Sequence, residues 1–284
     1  MPELPEVESL RRSLEPLVLG RRVLHATPPR KALHVRPASG PARLTPADLL
    51  EGLTITATAR RGKQLALLTS AGAALVVHLG MSGQLLHLAP GVKIPSPRTQ
   101  PGKHLHARWA LDDGSLLLFR DPRRFGGLVP FPSRGALDAH WSGTLGPDAL
   151  TITDDELLAR LGSVRAIKAL LLDQSVLAGV GNIYADESLH RARIHPATPA
   201  DRLTPAQARA LAGALRSVLA QAVDLRGSTL RDYRSAQGEP GSATALHLVY
   251  GRADQPCLAC GTPIASAPLA QRTTAWCPRC QPQP

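Results

Sequence analysis

The chain has 284 residues, 43% of them hydrophobic, enough to bury a sizeable core and to divide into two domains. Lys and Arg outnumber Asp and Glu by 33 to 22, a formal net charge of +11, which points to a polyanionic partner, nucleic acid ahead of an anionic membrane surface, although a generically basic protein carries the same excess. No apolar run approaches a membrane span, the opening residues are acidic, and Phe, Trp and Tyr number only three each, too few for broad stacking on single-stranded bases; the expectation is a cytoplasmic protein without membrane association.

The chain opens Met1-Pro2-Glu3-Leu4-Pro5-Glu6-Val7-Glu8. An initiator Met is commonly removed before a small residue, which would leave Pro2 as the mature N-terminus, a secondary amine with the Glu3 carboxylate beside it. An α-amino group has an ordinary pKa of about 8. At neutral pH part of it is uncharged and able to attack an electrophilic carbon, forming a Schiff base. Pro2 and Pro5 also suit a helix start, with Pro5 at the first helical position, and taken alone they favour that plainer reading.

Val7, Leu10 and Leu14 then fall on one helical face, and Gly20 ends the run. Leu53, Ile55, Ala57 and Ala59 alternate with Thr54, Thr56, Thr58 and Arg60, the pattern of a half-buried strand. Residues 63–69 and 73–79 flank a turn at Ser70-Ala71-Gly72, and residues 108–111 and 115–120 flank Asp112-Asp113-Gly114, a second hairpin signal. The Pro-rich stretch 90–101 reads as a loop. Residues 1–131 are therefore expected to form a mostly β domain with one leading helix, and 132–150 a linker.

Helices follow. Thr153-Asp154-Asp155-Glu156 is a capping box opening a helix through 161, and Thr204-Pro205-Ala206-Gln207 opens a long one to about 225. Between them, 165–173 and 182–193 have helical character and are joined by Leu177-Ala178-Gly179-Val180-Gly181. Two helices about a Gly-bearing turn suit a helix-turn-helix variant whose backbone amides meet phosphate; an ordinary corner of a helical bundle has the same pattern.

All four cysteines lie near the C-terminus, as Cys257-x2-Cys260 and Cys277-x2-Cys280. Two disulfides could use them, but a cytoplasm keeps thiols reduced, and two CxxC pairs at this separation match a four-thiolate zinc site. Such a site is closed to substrate, so one Zn2+ would be structural. His247 and its neighbours read as surface or core residues rather than ligands.

Eight segments taken together resemble the formamidopyrimidine-DNA glycosylases, bacterial enzymes that excise oxidised purines such as 8-oxoguanine. They are PELPEVE at 2–8, RRGKQL at 60–65, HLGMSG at 78–83, DPRRFG at 121–126, GVGNIYADE at 179–187, GSTLRDY at 227–233, VYGR at 249–252 and the cysteine tail, in family order over nearly the whole chain. The resemblance implies an α+β, two-domain fold. An N-terminal β-sandwich with flanking helices would span 1–131. After the linker would come a helix-two-turn-helix domain over 151–226, a lesion-recognition loop region over 227–248 and a four-cysteine zinc finger over 249–284.

It also implies a bifunctional glycosylase and AP lyase acting in base excision repair on duplex DNA with oxidised purines or abasic sites. Pro2 resembles the nucleophile that attacks C1′ and displaces the base; the Schiff base then permits strand cutting by β- and δ-elimination. Glu3 resembles the acid/base residue that helps open the sugar ring, with Glu6 an accessory, and Lys63 matches the strand-borne lysine that contacts phosphate near the lesion. Extruding a nucleotide leaves a hole and an orphaned partner base. Met81, Arg123 and Phe125 match the residues that fill it, Arg123 by hydrogen bonds to the orphan and Phe125 as a wedge. Outside these motifs Met81 would read as core and Phe125 as a hairpin anchor. His104 and Arg124 join the DNA-contacting set, and Lys168, Asn182 and Arg272 match phosphate-holding positions, which carry affinity rather than sequence choice.

Three departures from the family pattern stand out. The loop after GSTLRDY reads Pro240-Gly241-Ser242-Ala243-Thr244-Ala245 without its usual aromatic pair; Arg226 replaces the first Gly of a pair; and Leu105 replaces an acid in Lys103-His104-Leu105-His106. None touches Pro2, Glu3 or Lys63, so the expected strand-cutting chemistry is intact while base preference is open. An endonuclease VIII-type enzyme for oxidised pyrimidines is the nearest alternative, and a non-catalytic zinc-finger DNA-binding protein the next. One lesion in one site requires only a monomer.

Overall fold

Val7, Leu10, Leu14 and Val18 recur at the spacing of one helical face, and all four are fully buried along α1 (Leu4–Val18). This computed structural model describes every residue except 1, 32, 36–42, 95–102, 230–232 and 284. Met1, whose removal is expected, most of the Pro-rich loop and the centre of GSTLRDY thus lie outside the described residues. The chain divides into two compact units, Met1–Gly143 with Arg226–Ser242, and Thr144–Leu225 with Ala243–Pro284.

In the first unit, Gly20 at φ 78° turns the chain from α1 into β1 (Val23–Thr27). There follow β2 (Ile55–Arg61), β3 (Gln64–Thr69), β4 (Ala74–His78), β5 (Gln84–Leu88), β6 (Leu105–Leu111), β7 (Leu116–Arg120) and β8 (Gly127–Phe131). They make two antiparallel four-stranded sheets, ordered β1-β6-β7-β5 and β2-β3-β4-β8. Leu10 and Leu14 of α1 join Leu65, Val77, Leu85, Trp109, Leu117 and Phe119 from both sheets in one core. Burying each such side chain stabilises the fold by roughly 1.5–3 kcal/mol. The indole N–H of Trp109 donates to the Leu49 carbonyl at 2.9 Å, so the largest core residue carries no unmet polar group.

Both expected hairpins form. Strands β1, β5 and β8 were not expected. Pro130 lies within β8, but β8 ends its sheet, where a missing N–H breaks no ladder. The stretch expected as a linker carries α2 (Arg134–Thr144), anchored by two buried residues, Leu137 and Trp141, with the Trp141 indole donating to Gln64 Oε1 at 2.8 Å.

In the second unit, Thr153 and Thr204 cap α3 (Asp154–Leu158) and, later in the chain, a twenty-residue helix through reciprocal bonds with Glu156 and Gln207. Between these two helices come α4 (Ile167–Leu172) and α5 (Asn182–Arg191); the long helix is α6 (Pro205–Asp224), whose buried stripe includes Leu211, Leu215 and Leu219. Helix α3 stops three residues short of the expected end. β9 (Ala265–Leu269) and β10 (Arg272–Trp276) form a hairpin beside the cysteines. Among the described residues, no helix is long and apolar enough to cross a membrane.

Candidate active site and nucleic-acid interface

Pro2 and Glu3 are buried directly ahead of α1, with Glu3 in extended backbone as its N-cap. The Glu6 carboxylate folds back onto them. One oxygen accepts the Glu3 N–H at 2.7 Å and the other accepts the Ser228 N–H at 2.6 Å, so one buried acid ties the start of the chain to residues 227–229. Gly227 (φ 77°) lies flat on Glu6, where a Cβ would come within 2.7 Å of its carboxylate oxygen. The neighbouring Arg226 holds φ 60°, which explains a preference for glycine there; it forms an ion pair with Glu239. Ser228 bridges to Ser242, and the Gly241 N–H donates to Thr229 Oγ1 at 2.8 Å, closing the stem of this loop.

Lys63 is not within a strand. Arg61 pairs with Gln64, leaving Gly62-Lys63 as a two-residue turn whose first residue has φ 57°, the form that needs glycine in that place. The turn carries Lys63 to the sheet's end beside His78, which pairs with Gln64. Burial, then the charges of Lys63 and His34, push the His78 imidazole down to about 4. It is therefore neutral, and its Nδ1 accepts the Gly80 N–H at 3.2 Å.

The HLGMSG and DPRRFG loops are built as one object. Buried Asp121 accepts from Ser82 Oγ at 2.6 Å and from the Gly126 N–H at 2.8 Å, while Ser82 Oγ accepts the Arg123 N–H at 3.1 Å. Gly80 packs against the Phe125–Gly126 backbone so closely that a Cβ would lie 2.4 Å away. Gly80 and Ser82, which flank Met81, thus touch the Phe125–Gly126 backbone and the Arg123 N–H, and Met81 itself is half-buried. Phe125 is 40% exposed, an uncommon state for a large ring, and the Arg123 guanidinium lies 4.8 Å above its centroid. Arg124 stands between them at φ 58°, and His104 holds φ 71° at the head of β6. Ser82 and Asp121 were not singled out in the sequence; only their place inside the motifs marked them.

In the second unit the turn before α5 is tied by Gln174, which donates to the Val180 carbonyl at 2.9 Å and accepts the Gly179 N–H at 2.9 Å. Asn182, at the start of α5, donates through Nδ2 to the Thr273 carbonyl at 2.8 Å. Arg272 is exposed beside the Ala270-Gln271 turn, whose residues hold φ 50° and 57°. Lys168 corrects an expectation. It is 0% exposed, with its ammonium 2.6 Å from Asp186 and 2.8 Å from Thr274 Oγ1. It faces a carboxylate, not a phosphate, and locks α4 to β10. The other Asp186 oxygen accepts the Ala275 N–H at 3.0 Å.

The four cysteines converge. Their Sγ atoms all lie within 4.8 Å of one another, Cys260 and Cys277 at 3.4 Å and Cys257 and Cys280 at 4.0 Å, and none is in a disulfide. Tetrahedral zinc with bonds of about 2.3 Å sets sulfurs about 3.8 Å apart, so the cage has the right size and chemistry. Hydrogen bonds with Thr262 pull the Cys260 thiol down to about 6, whereas burial pushes Cys280 up to about 12. A metal must therefore displace protons to collect four thiolates. Val249, Ile264 and Ala275 pack a small core around the cage.

A buried Pro2-Glu3 pair at the head of α1 on a β-sandwich, with a helix-two-turn-helix tied to a four-cysteine hairpin, defines a zinc-finger helix-two-turn-helix protein. Residues 1–128 match the formamidopyrimidine-DNA glycosylase N-terminal domain, 145–234 the formamidopyrimidine-DNA glycosylase H2TH domain, and 254–283 the zinc finger found in FPG and IleRS. The chain is 47% identical to the formamidopyrimidine-DNA glycosylase of Alkalilimnicola ehrlichii over 99% of this chain and 100% of that one. A Lactococcus lactis FPG mutant in complex with Fapy-dG DNA matches with a TM-score of 0.84 at 32% identity, and a complex of Lactococcus lactis Fpg with abasic-site DNA with a TM-score of 0.84 at 30% identity. Each covers 99% of this chain and 100% of the other. This chain belongs to the formamidopyrimidine-DNA glycosylase family.

Proposed function

We propose that the chain is a base-excision glycosylase and AP lyase that removes oxidised purines from duplex DNA through Pro2. The observation that carries this is the buried Pro2-Glu3 pair at the head of α1, held by Glu6. With Met1 removed, the Pro2 amine faces the positive end of the α1 dipole, which disfavours the ammonium form and keeps a nucleophile available. It attacks C1′ and the base departs. Glu3 moves protons at the opening sugar ring. The protonated Schiff base draws electrons from C2′, so the 3′- and then the 5′-phosphate leave by elimination. Lys63, on its turn, holds a phosphate beside the lesion.

Met81, Arg123 and Phe125 fill the space vacated by the extruded nucleotide. The zinc hairpin presents Arg272, and Asn182, His104 and Arg124 complete the backbone contacts. Zinc holds the hairpin and takes no part in the chemistry. The purine assignment rests on the family and on the Fapy-dG bound to one relative; the abasic DNA bound to another supports the lyase step. Residues 1–131 supply the chemistry, 151–226 and 249–284 the grip on DNA, and 227–248 the loop over the base. The enzyme works as a monomer, in the cytoplasm where bacterial DNA lies.

Borohydride trapping on duplex DNA carrying 8-oxoguanine opposite cytosine tests this reading, with Pro2→Gly alongside. The native chain gives a covalent adduct that the variant largely loses. No adduct on that DNA or on an abasic duplex, from protein shown to start at Pro2, would overturn it.

A further inference from the structure

The C-terminal end of α5 meets the cysteine cage through a residue that neither the catalytic groups nor the DNA contacts use. His190 is buried in the last turn of α5, and its Nε2 lies 3.7 Å from Cys257 Sγ, within hydrogen-bond reach of an atom as large as sulfur. We infer that His190 is a positioning residue of the zinc centre: its Nε2–H donates to the Cys257 thiolate, ties α5 to the cage and strengthens its hold on the metal. The inference is independent of the lesion chemistry.

Three observations carry this. First, the helix places the ring. Asn182, Asp186 and His190 recur at i, i+4 spacing and share one face of α5. Each meets the cysteine-bearing segment: Asn182 at the Thr273 carbonyl, Asp186 at the Ala275 N–H and His190 at Cys257. The first two bonds fix α5 against β10, so the third is held in line with them. Second, the surroundings select the tautomer. His190 Nδ1 is buried and has no hydrogen-bond partner among the described residues. A proton on Nδ1 would be a buried donor without an acceptor, and Nε2 would then turn a lone pair towards the sulfur. A proton on Nε2 meets the sulfur and leaves unmet only the acceptor at Nδ1. Third, Cys257 needs a donor. Four thiolates around Zn2+ leave two negative charges on the cage, and a thiolate withdrawn from water is stabilised by a charge-assisted hydrogen bond. Cys257 and Cys277 are the two buried ligands. Cys277 Sγ receives the Cys280 N–H at 3.4 Å. Apart from other cage sulfurs, His190 Nε2 is the one hydrogen-bonding group on Cys257 Sγ among the described residues. The four sulfurs already complete a tetrahedron, so His190 acts on a ligand and not on the metal.

The experiment compares the full native chain with His190→Phe, which keeps a ring and removes the donor, and His190→Gln, which keeps an N–H donor. The readouts are zinc affinity by competition with a chelating dye and, with cobalt in place of zinc, the sulfur-to-cobalt charge-transfer band. Loss of an outer partner of this kind lowers metal affinity by roughly 10- to 100-fold. His190→Phe is expected to lose affinity by that factor and to move the band to longer wavelength, because a thiolate without its donor is more electron-rich. His190→Gln is expected to stay near the native values in both. Native affinity and an unmoved band in His190→Phe would overturn the inference. Equal losses in the two variants would assign His190 to packing and overturn it as well. The native zinc-loaded chain gives a reading that needs no variant to fold: a long-range proton–nitrogen NMR spectrum is expected to show His190 as the Nε2–H tautomer, and the Nδ1–H tautomer would overturn the inference.

Discussion

Two buried carboxylates do work that their positions in sequence do not announce. Glu6 accepts from both Glu3 and Ser228, and both bonds are short and buried. A glutamine keeps the shape but has one acceptor oxygen, so one of the two N–H groups is left unmet, at a cost of about 2 kcal/mol. Glu6→Gln is therefore expected to slow single-turnover trapping by roughly 10- to 30-fold while the protein still unfolds cooperatively; an unchanged rate would show that this tie does not position Pro2. Asp186 is the second. Burial pushes its carboxyl up to about 6 despite the adjacent Lys168. Lys168→Met alone strands that acid and is expected to cost about 3–5 kcal/mol, whereas Lys168→Met with Asp186→Leu recovers most of the loss. Denaturant midpoints of the two variants measure this. The double variant should also keep the native salt slope for DNA binding, because Lys168 holds no phosphate; a slope shallower by about 0.9 would show that it does.

At the scale of elements, α1 is held to β2 by charge as well as by its apolar stripe. Glu8 receives Arg11, Arg12 and Arg60, the last at 3.0 Å with both side chains largely buried. Burial opposes its ionisation, but hydrogen bonds from Arg11 and Arg12 and the charge of Arg60 win, and the carboxyl falls from 4.5 to about 2. A depressed carboxyl contributes stability above its unfolded value and loses it as pH falls through the folded one. Glu8→Gln should thus be less stable than native by on the order of 2–3 kcal/mol near neutrality, with the difference closing between about pH 4.5 and 2. Urea unfolding across that range measures it; a gap that persists at the acid end would assign the loss to packing.

The elements that could be read in the sequence are those with an internal signal. The apolar stripe of α1, the alternation of β2, the glycine turns and the two capping boxes each lie within a short window. β1, β5, β8 and α2 have no such signal: β8 contains Pro130, and α2 has only Leu137 and Trp141 as anchors, so partner strands and the core decide them. The site divides the same way. The cysteine cage is legible, and Pro2 and Glu3 stand out as candidates, because each signal lies in a short motif, whereas Ser82–Asp121 and Glu6–Ser228 join residues 39 and 222 positions apart. Lys168 shows the limit from the other side, since spacing placed it on a helix but could not say that its ammonium points inward.

For the whole molecule, the division into two units with separate cores predicts separate responses to metal loss. The cage collects β10 and the segment at 248–250, and these are docked on α4 and α5 by Lys168, Asn182, Asp186 and Glu187, whose carboxylate accepts the N–H groups of Leu248, Val249 and Tyr250. Zinc supplies about 10 kcal/mol or more to units of this size, well beyond what the small core around Val249 and Ile264 can replace. Chelation should therefore release the hairpin and, with it, Arg272, while the first unit, whose core contains no metal ligand, keeps its fold. Tryptophan reports both outcomes, because Trp276 stands on β10 against His195 while Trp109 and Trp141 lie buried in the first unit. On chelation only the Trp276 emission should shift to the red, shown by its loss in Trp276→Phe, and DNA affinity should fall while the first unit's thermal transition stays in place. Restored zinc should reverse the change. A single transition that collapses with the metal would show that the two units fold as one.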